Sequence, residues 1–220
     1  MHREIPRFVE CPPLNPELRS LITRLVYLPN YPPTPSDSIF VFGNRNFSDT
    51  AATVQQLIDS QISGHIIISG GSPKFDDNSP PPSRSESESI SSLLNISDPL
   101  VHVSLEQAAT NTRENVINSL NLFPPSLNSL TYVCLWYLSC RARLSLRKFL
   151  PESVRLFQYA LPKKEPDSGI IIDPDTWYTS EIGRNRTFAE YLRIKTYAER
   201  GDIFSDVTLQ NLIQKINSRI

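Results

Sequence analysis

Long apolar runs are missing from this 220-residue sequence. None approaches the roughly 20 residues that span a bilayer, so no membrane partner is expected. The opening residues, MHREIPRFVECPP, lack the apolar stretch of a secretory signal, and the expected location is the cytoplasm. The sequons at Asn46, Asn95 and Asn185 are then expected to stay unmodified. A charge excess is lacking too: 22 Lys and Arg stand against 23 Asp and Glu, net −1. A general nucleic-acid binder carries a basic excess, so no nucleic-acid partner is expected. The three cysteines, Cys11, Cys134 and Cys140, form neither a metal spacing nor a disulfide framework. Cys134 lies in an apolar run and reads as a small buried hydrophobe. Cys140 stands beside Arg141 and Arg143, neighbours that can lower a thiol pKa. Only seven glycines occur, and no GxGxxG or P-loop, which excludes the ordinary dinucleotide fingerprint and a Walker A site.

What is present is an alternation. After a proline-punctuated segment, 1–36, with a short helix over PELRSLITRLVYL, apolar strands and helical patterns take turns. Strands are expected at 38–42, 65–69, 100–105, 130–136 and 154–160. Helices are expected at 50–62, ending at 89–96, at 112–123 and at 140–150, the last two stopped by prolines. The strands are unbroken apolar runs, the pattern of strands covered on both faces. The fold class is therefore α/β, a parallel sheet of about five strands between helices. The domain is expected over 37–162, interrupted by a Pro- and Ser-rich mobile loop at 72–85. An extended segment at 169–178 and helices at 185–201 and 206–216 form a helical C-terminal extension, 163–220, packed on the sheet.

Ligands of open parallel sheets bind beyond the carboxyl ends of the strands. Here those turns read GNRNFSD, SGG, EQAATNTREN and YLSCRAR. Gly43, Gly70 and Gly71 follow two successive strands, where glycine lets backbone approach a ligand closely. In TNTREN, Asn111 or Thr112 can be the N-cap, and Glu114 or Asn115 can complete a capping arrangement. Helical spacing places Asn111, Glu114 and Asn115 on one side of the first turn, where an amide and a carboxylate suit a hydroxyl-rich ligand. Arg141 and Arg143 can meet an anion or pair with Glu86, Glu106 or Glu114. His102 falls inside a strand and reads as packed rather than catalytic. No Ser/His/Asp or Cys/His arrangement is visible.

Five pieces in order, DSIFVFGN (37–44), IISGG (67–71), SES (85–87), LExxxTNTxEN (105–115) and CRARLSLRKF (140–149), resemble the YdcF-like family, relatives of the bacterial SanA and ElyC envelope proteins. The tail EYLRIKTYAERGDI (190–203) is similar to the cytosolic branch. The resemblance implies a three-layer Rossmann-like fold and a pocket lined by Gly43, Asn44, Gly70, Gly71, Glu86, Asn111, Thr112, Glu114, Asn115 and Arg141. It implies S-adenosylmethionine as the ligand. The chain departs from the family at Ala109, where serine is frequent, and at Leu138, where many members carry histidine. At the second helix Glu86 is preferred over Glu88, because Ile90, Leu93 and Leu94 then fall at i+4, i+7 and i+8 of an apolar face.

The expected function is binding of an adenosyl or nucleotide-like small molecule at the strand ends. The alternative is an enzyme, an S-adenosylmethionine-dependent transferase or a hydrolase of a phosphorylated or glycosylated small molecule, with Glu86 or Glu114 as acid/base. A second alternative is an interaction protein that engages a partner through its proline-rich start or serine-rich loop.

Overall fold

The computed structural model describes residues 5–72, 84–165 and 169–220. The elements run α1 (Pro16–Val26), β1 (Ser38–Phe42), α2 (Phe47–Asp59), β2 (His65–Ser69), α3 (Glu86–Ser91), β3 (His102–Glu106), α4 (Thr112–Asn118), β4 (Ser129–Leu135), α5 (Ser139–Phe149), β5 (Arg155–Leu161), β6 (Lys163–Lys164), β7 (Ile171–Ile172), α6 (Glu181–Glu199) and α7 (Val207–Asn217). Among the described residues no helix is long and apolar enough to cross a membrane. Most of the expected loop, 73–83, lies outside the described residues.

The chain divides into two compact units. One comprises Asn30–Cys134 and Phe149–Leu161 and holds the sheet. Its strand order is β3-β2-β1-β4-β5, with parallel registers such as Val41↔Ile68, Phe40↔Tyr132 and Ile68↔Leu105. This is the α/β, Rossmann-like arrangement. Every residue of β1 and β4 is buried, as their unbroken apolar runs require. Phe40, Phe42, Tyr132 and Phe123 form a chain of ring contacts on one face. Right-handed crossovers place α2 and α3 together, and the return from β3 to β4 carries α4 to the opposite face. Accordingly α2 packs on α3, and α3 on β2 and β3.

The other unit comprises Met1–Pro29, Leu135–Lys148 and Pro162–Ile220. The division differs from the expected one, because most of α5 and the start of the chain group with the C-terminal helices. Asn15 caps α1 with Pro16 at its first position, Ser180 caps α6, and Asp206 caps α7. Gly201, at φ 74°, ends α6. Trp177 is fully buried, donates to Thr23 Oγ1 at 2.8 Å and stacks on Tyr27. Lys163–Lys164 and Ile171–Ile172 pair as a small antiparallel ribbon, of which only Ile171–Ile172 falls in the extended segment expected at 169–178.

Several boundaries move for local reasons. Helix α2 starts at Phe47, earlier than its apolar spacing indicates. Helix α3 ends at Ser91, so Leu93 and Leu94 lie beyond it, and Leu93 is exposed. The expected helix 112–123 is α4 followed by a 3-10 turn at Leu120–Leu122. His102 is exposed rather than packed, because it opens an edge strand.

Candidate functional site

The turns after β1, β2 and β3 meet within the sheet unit. Their meeting is built from backbone. Gly43 N–H donates to Ser69 O at 2.6 Å, Gly70 N–H to Glu106 O at 2.9 Å, and Gly71 N–H to Ala109 O at 2.8 Å. None of these glycines has positive φ; what they supply is space. A methyl on Gly43 would lie 2.6 Å from Ser69 O and 2.8 Å from Glu86 Oε2. One on Gly70 would lie 2.9 Å from Gly43 Cα and 3.1 Å from Glu86 Oε2. The three N–H groups are thus spent on carbonyls, while the bare Cα positions of Gly43 and Gly70 receive the Glu86 carboxylate.

Glu86 gets there through α3. Ser85 caps that helix in a reciprocal box: Glu88 N–H donates to Ser85 Oγ, and Ser85 N–H to Glu88 Oε2 at 2.8 Å. The box occupies Glu88 and leaves Glu86 as the carboxylate at the glycines. The start of α3 is tied down by Glu86 N–H to Gly71 O and Ser87 N–H to Gly70 O.

Asn44 is buried and works on its own turn. Its Oδ1 accepts Asn46 N–H at 2.8 Å and the Thr50 hydroxyl at 3.1 Å, which holds the entry to α2. In the third turn Asn111 is the N-cap of α4 and accepts Glu114 N–H at 3.0 Å. Thr112 is the buried first residue of that helix. Glu114 folds back on Thr110 and accepts its N–H and hydroxyl, each at 2.8 Å. Partial burial raises the Glu114 carboxyl. The Thr110 and Asn111 hydrogen bonds and the Arg113 charge outweigh that and hold it below the usual carboxylate range. Asn115 is buried and donates to Ser69 O at 3.1 Å.

The carboxylate that organises this end of the sheet is Glu106, which is absent from the expected site set. It ends β3 and is buried. Its Oε2 accepts the Ser69 hydroxyl at 2.5 Å, and its Oε1 accepts Ala108 N–H, Ala109 N–H and the Asn118 amide at 2.7, 2.9 and 3.3 Å. One side chain thereby joins β2, the third turn and α4. The signal in the sequence is a carboxylate closing a mostly apolar strand, LVHVSLE.

Arg141 belongs to the other unit. Its guanidinium makes a two-pronged pair with the Glu190 carboxylate, which also accepts from Arg193 at 3.2 Å. Glu190 is buried, and burial alone would raise its carboxyl; the Arg141 and Arg193 charges hold it below the usual range. Cys140 is buried too. Desolvation pushes its thiol up to about 12, outweighing the lowering that Arg141 and Arg143 can exert. Among the described residues no group of three or more His, Cys, Asp or Glu converges to hold a metal ion.

Compared with known protein families, with curated proteins and with solved structures, the chain matches none.

Proposed function

We propose that this chain is a YdcF-like small-molecule binding protein whose ligand, an adenosyl compound such as S-adenosylmethionine, sits at the carboxyl ends of β1 and β2. One observation carries the reading: the Glu86 carboxylate lies against the bare backbone of Gly43 and Gly70. A carboxylate accepts from ribose hydroxyls and attracts an ammonium or sulfonium, and it repels phosphate. Of the ligand classes considered, the phosphate-free adenosyl class fits such a group best. Gly43 and Gly70 present no side chain there, which is what lets the carboxylate sit against the main chain.

An enzymatic reading rests on Glu86 as well. The Glu114 carboxyl is held by Thr110 and shifted down, away from the near-neutral value a general acid/base works at.

The test is a thermal-shift and calorimetric titration of the full chain with S-adenosylmethionine, S-adenosylhomocysteine, a sugar phosphate and divalent metals. A ligand at a hundred times its Kd adds about 2.7 kcal/mol, which is roughly 5–10 °C in Tm for a chain of this size. S-adenosylmethionine is expected to give that shift, and Glu86→Gln to weaken it. A shift with the sugar phosphate or metals alone would replace this reading with the hydrolase. No shift with any of them would end it.

A further inference from the structure

The two edges of the sheet are finished differently. On the β5 side Arg155 N–H bonds Asn128 O, next to β4, so the even-numbered groups of β5 point outward. They are covered. Asn30 Oδ1 accepts Ala160 N–H at 2.7 Å, its amide donates to Ala160 O at 2.9 Å, and Tyr31 N–H donates to Gln158 O at 3.1 Å. On the β3 side His102 N–H bonds Gly64 O and Glu106 O accepts from Gly70 N–H. The even-numbered residues of β3 therefore point at β2, and Val103 and Leu105 turn their N–H and C=O groups outward. No hydrogen bond to those four groups occurs among the described residues.

Open edges are normally blunted by lysine, proline, a bulge or a covering segment. Val103, Ser104 and Leu105 carry none of the protecting residue types. The connection leading into the strand exposes Leu93, Ile96 and Leu100, the last at 76 %. A strand of five residues does not hold a partner by hydrogen bonds alone, and exposed apolar side chains in the connection that enters it are available to add to the contact.

We propose that β3 pairs antiparallel with β3 of a second copy of this chain, about a two-fold axis midway between the two copies' Ser104 residues. The spacing of the free groups fits that symmetry. With Ser104 opposite the second copy's Ser104, Val103 faces the second copy's Leu105, and Leu105 faces the second copy's Val103. Each such pair exchanges two N–H···O=C bonds, so all four outward groups on each copy are satisfied. In the same register His102 stands opposite the second copy's Glu106, and no like charges meet. The result is one continuous sheet of ten strands, made by an isologous contact that closes and leaves no further β3 edge to extend.

Analytical ultracentrifugation of the full chain over a wide concentration range tests this. The weight-average mass is expected to climb from 24.9 kDa toward twice that value. Val103→Pro removes an outward N–H that the β2 ladder does not use. Ser104→Lys sets two like charges face to face only in the pair. Each is expected to weaken dimerisation roughly tenfold or more with an unchanged far-UV spectrum. Should either variant fail to fold, hydrogen exchange on the wild-type chain decides. The Val103 and Leu105 amides exchange fast when dilute and slow when concentrated. A wild-type chain that stays monomeric, variants that dimerise like the wild type, or edge amides that ignore concentration would each overturn the proposal. So would an extended peptide of another chain slowing those amides on a monomer.

Discussion

Glu106→Ala is the substitution that most directly probes the construction of the strand ends. The wild-type carboxylate accepts from four donors: the Ser69 hydroxyl, the Ala108 and Ala109 N–H groups and the Asn118 amide. Ser69 and Ala109 are buried, whereas Ala108 and Asn118 are exposed and can turn to water. Leaving a buried donor without its partner costs about 1–3 kcal/mol, which falls on the Ala109 N–H, because the Ser69 hydroxyl keeps Asn115 O at 3.2 Å. The Ser69 hydroxyl loses one of its two bonds, about 1 kcal/mol, and removing a buried charge relieves part of the carboxylate's own desolvation penalty, which brings the expected loss to about 2–3 kcal/mol. Glu106→Gln is the control. Its carbonyl keeps the two N–H groups, and its amide can donate to Ser69 Oγ, which still reaches Asn115 O at 3.2 Å. It is expected to cost about 1 kcal/mol. Urea unfolding followed by far-UV CD measures both, and a double-mutant cycle with Ser69→Ala isolates the short hydroxyl–carboxylate bond. An alanine variant within about 1 kcal/mol of wild type, or a glutamine variant as unstable as alanine, would refute Glu106 as the hub.

Three further outcomes follow from the same geometry. Glu190→Ala leaves the Arg141 and Arg193 guanidiniums buried without their anion and is expected to cost about 3–5 kcal/mol, read as a lowered urea midpoint. Because the folded Glu190 carboxyl lies below its ordinary value, its contribution is complete above the unfolded pKa of about 4.3. It is lost as pH falls through the lower folded value, and stability curves between neutral and acid pH will show a slope that Glu190→Gln removes. Gly43→Ala drives a methyl to 2.6 Å from Ser69 O and is expected to cost about 1–3 kcal/mol by overpacking. An alanine variant melting with the wild type would show that the strand ends have room to spare.

The backbone plan was legible in the chain because strand and helix periods differ and prolines and caps punctuate them. SIFVF and HIIIS are polar only at their ends and have no polar/apolar alternation between, the pattern of strands covered on both faces. Asn111 as N-cap of α4 and Gly201 as the stop of α6 are local events within a few residues, so local patterns suffice to find them. What the tertiary structure decided is the work assigned to each polar side chain. Asn111, Glu114 and Asn115 share a helical turn in sequence, yet one caps, one folds back on Thr110 and one locks onto Ser69 O. Arg141 stands next to a strand end in sequence, yet its charge is taken by Glu190, 49 residues on. Glu106 became central because β2, the third turn and α4 all bring donors to it. A carboxylate's role depends on which donors surround it once water is gone, and the chain sets those neighbours only by folding.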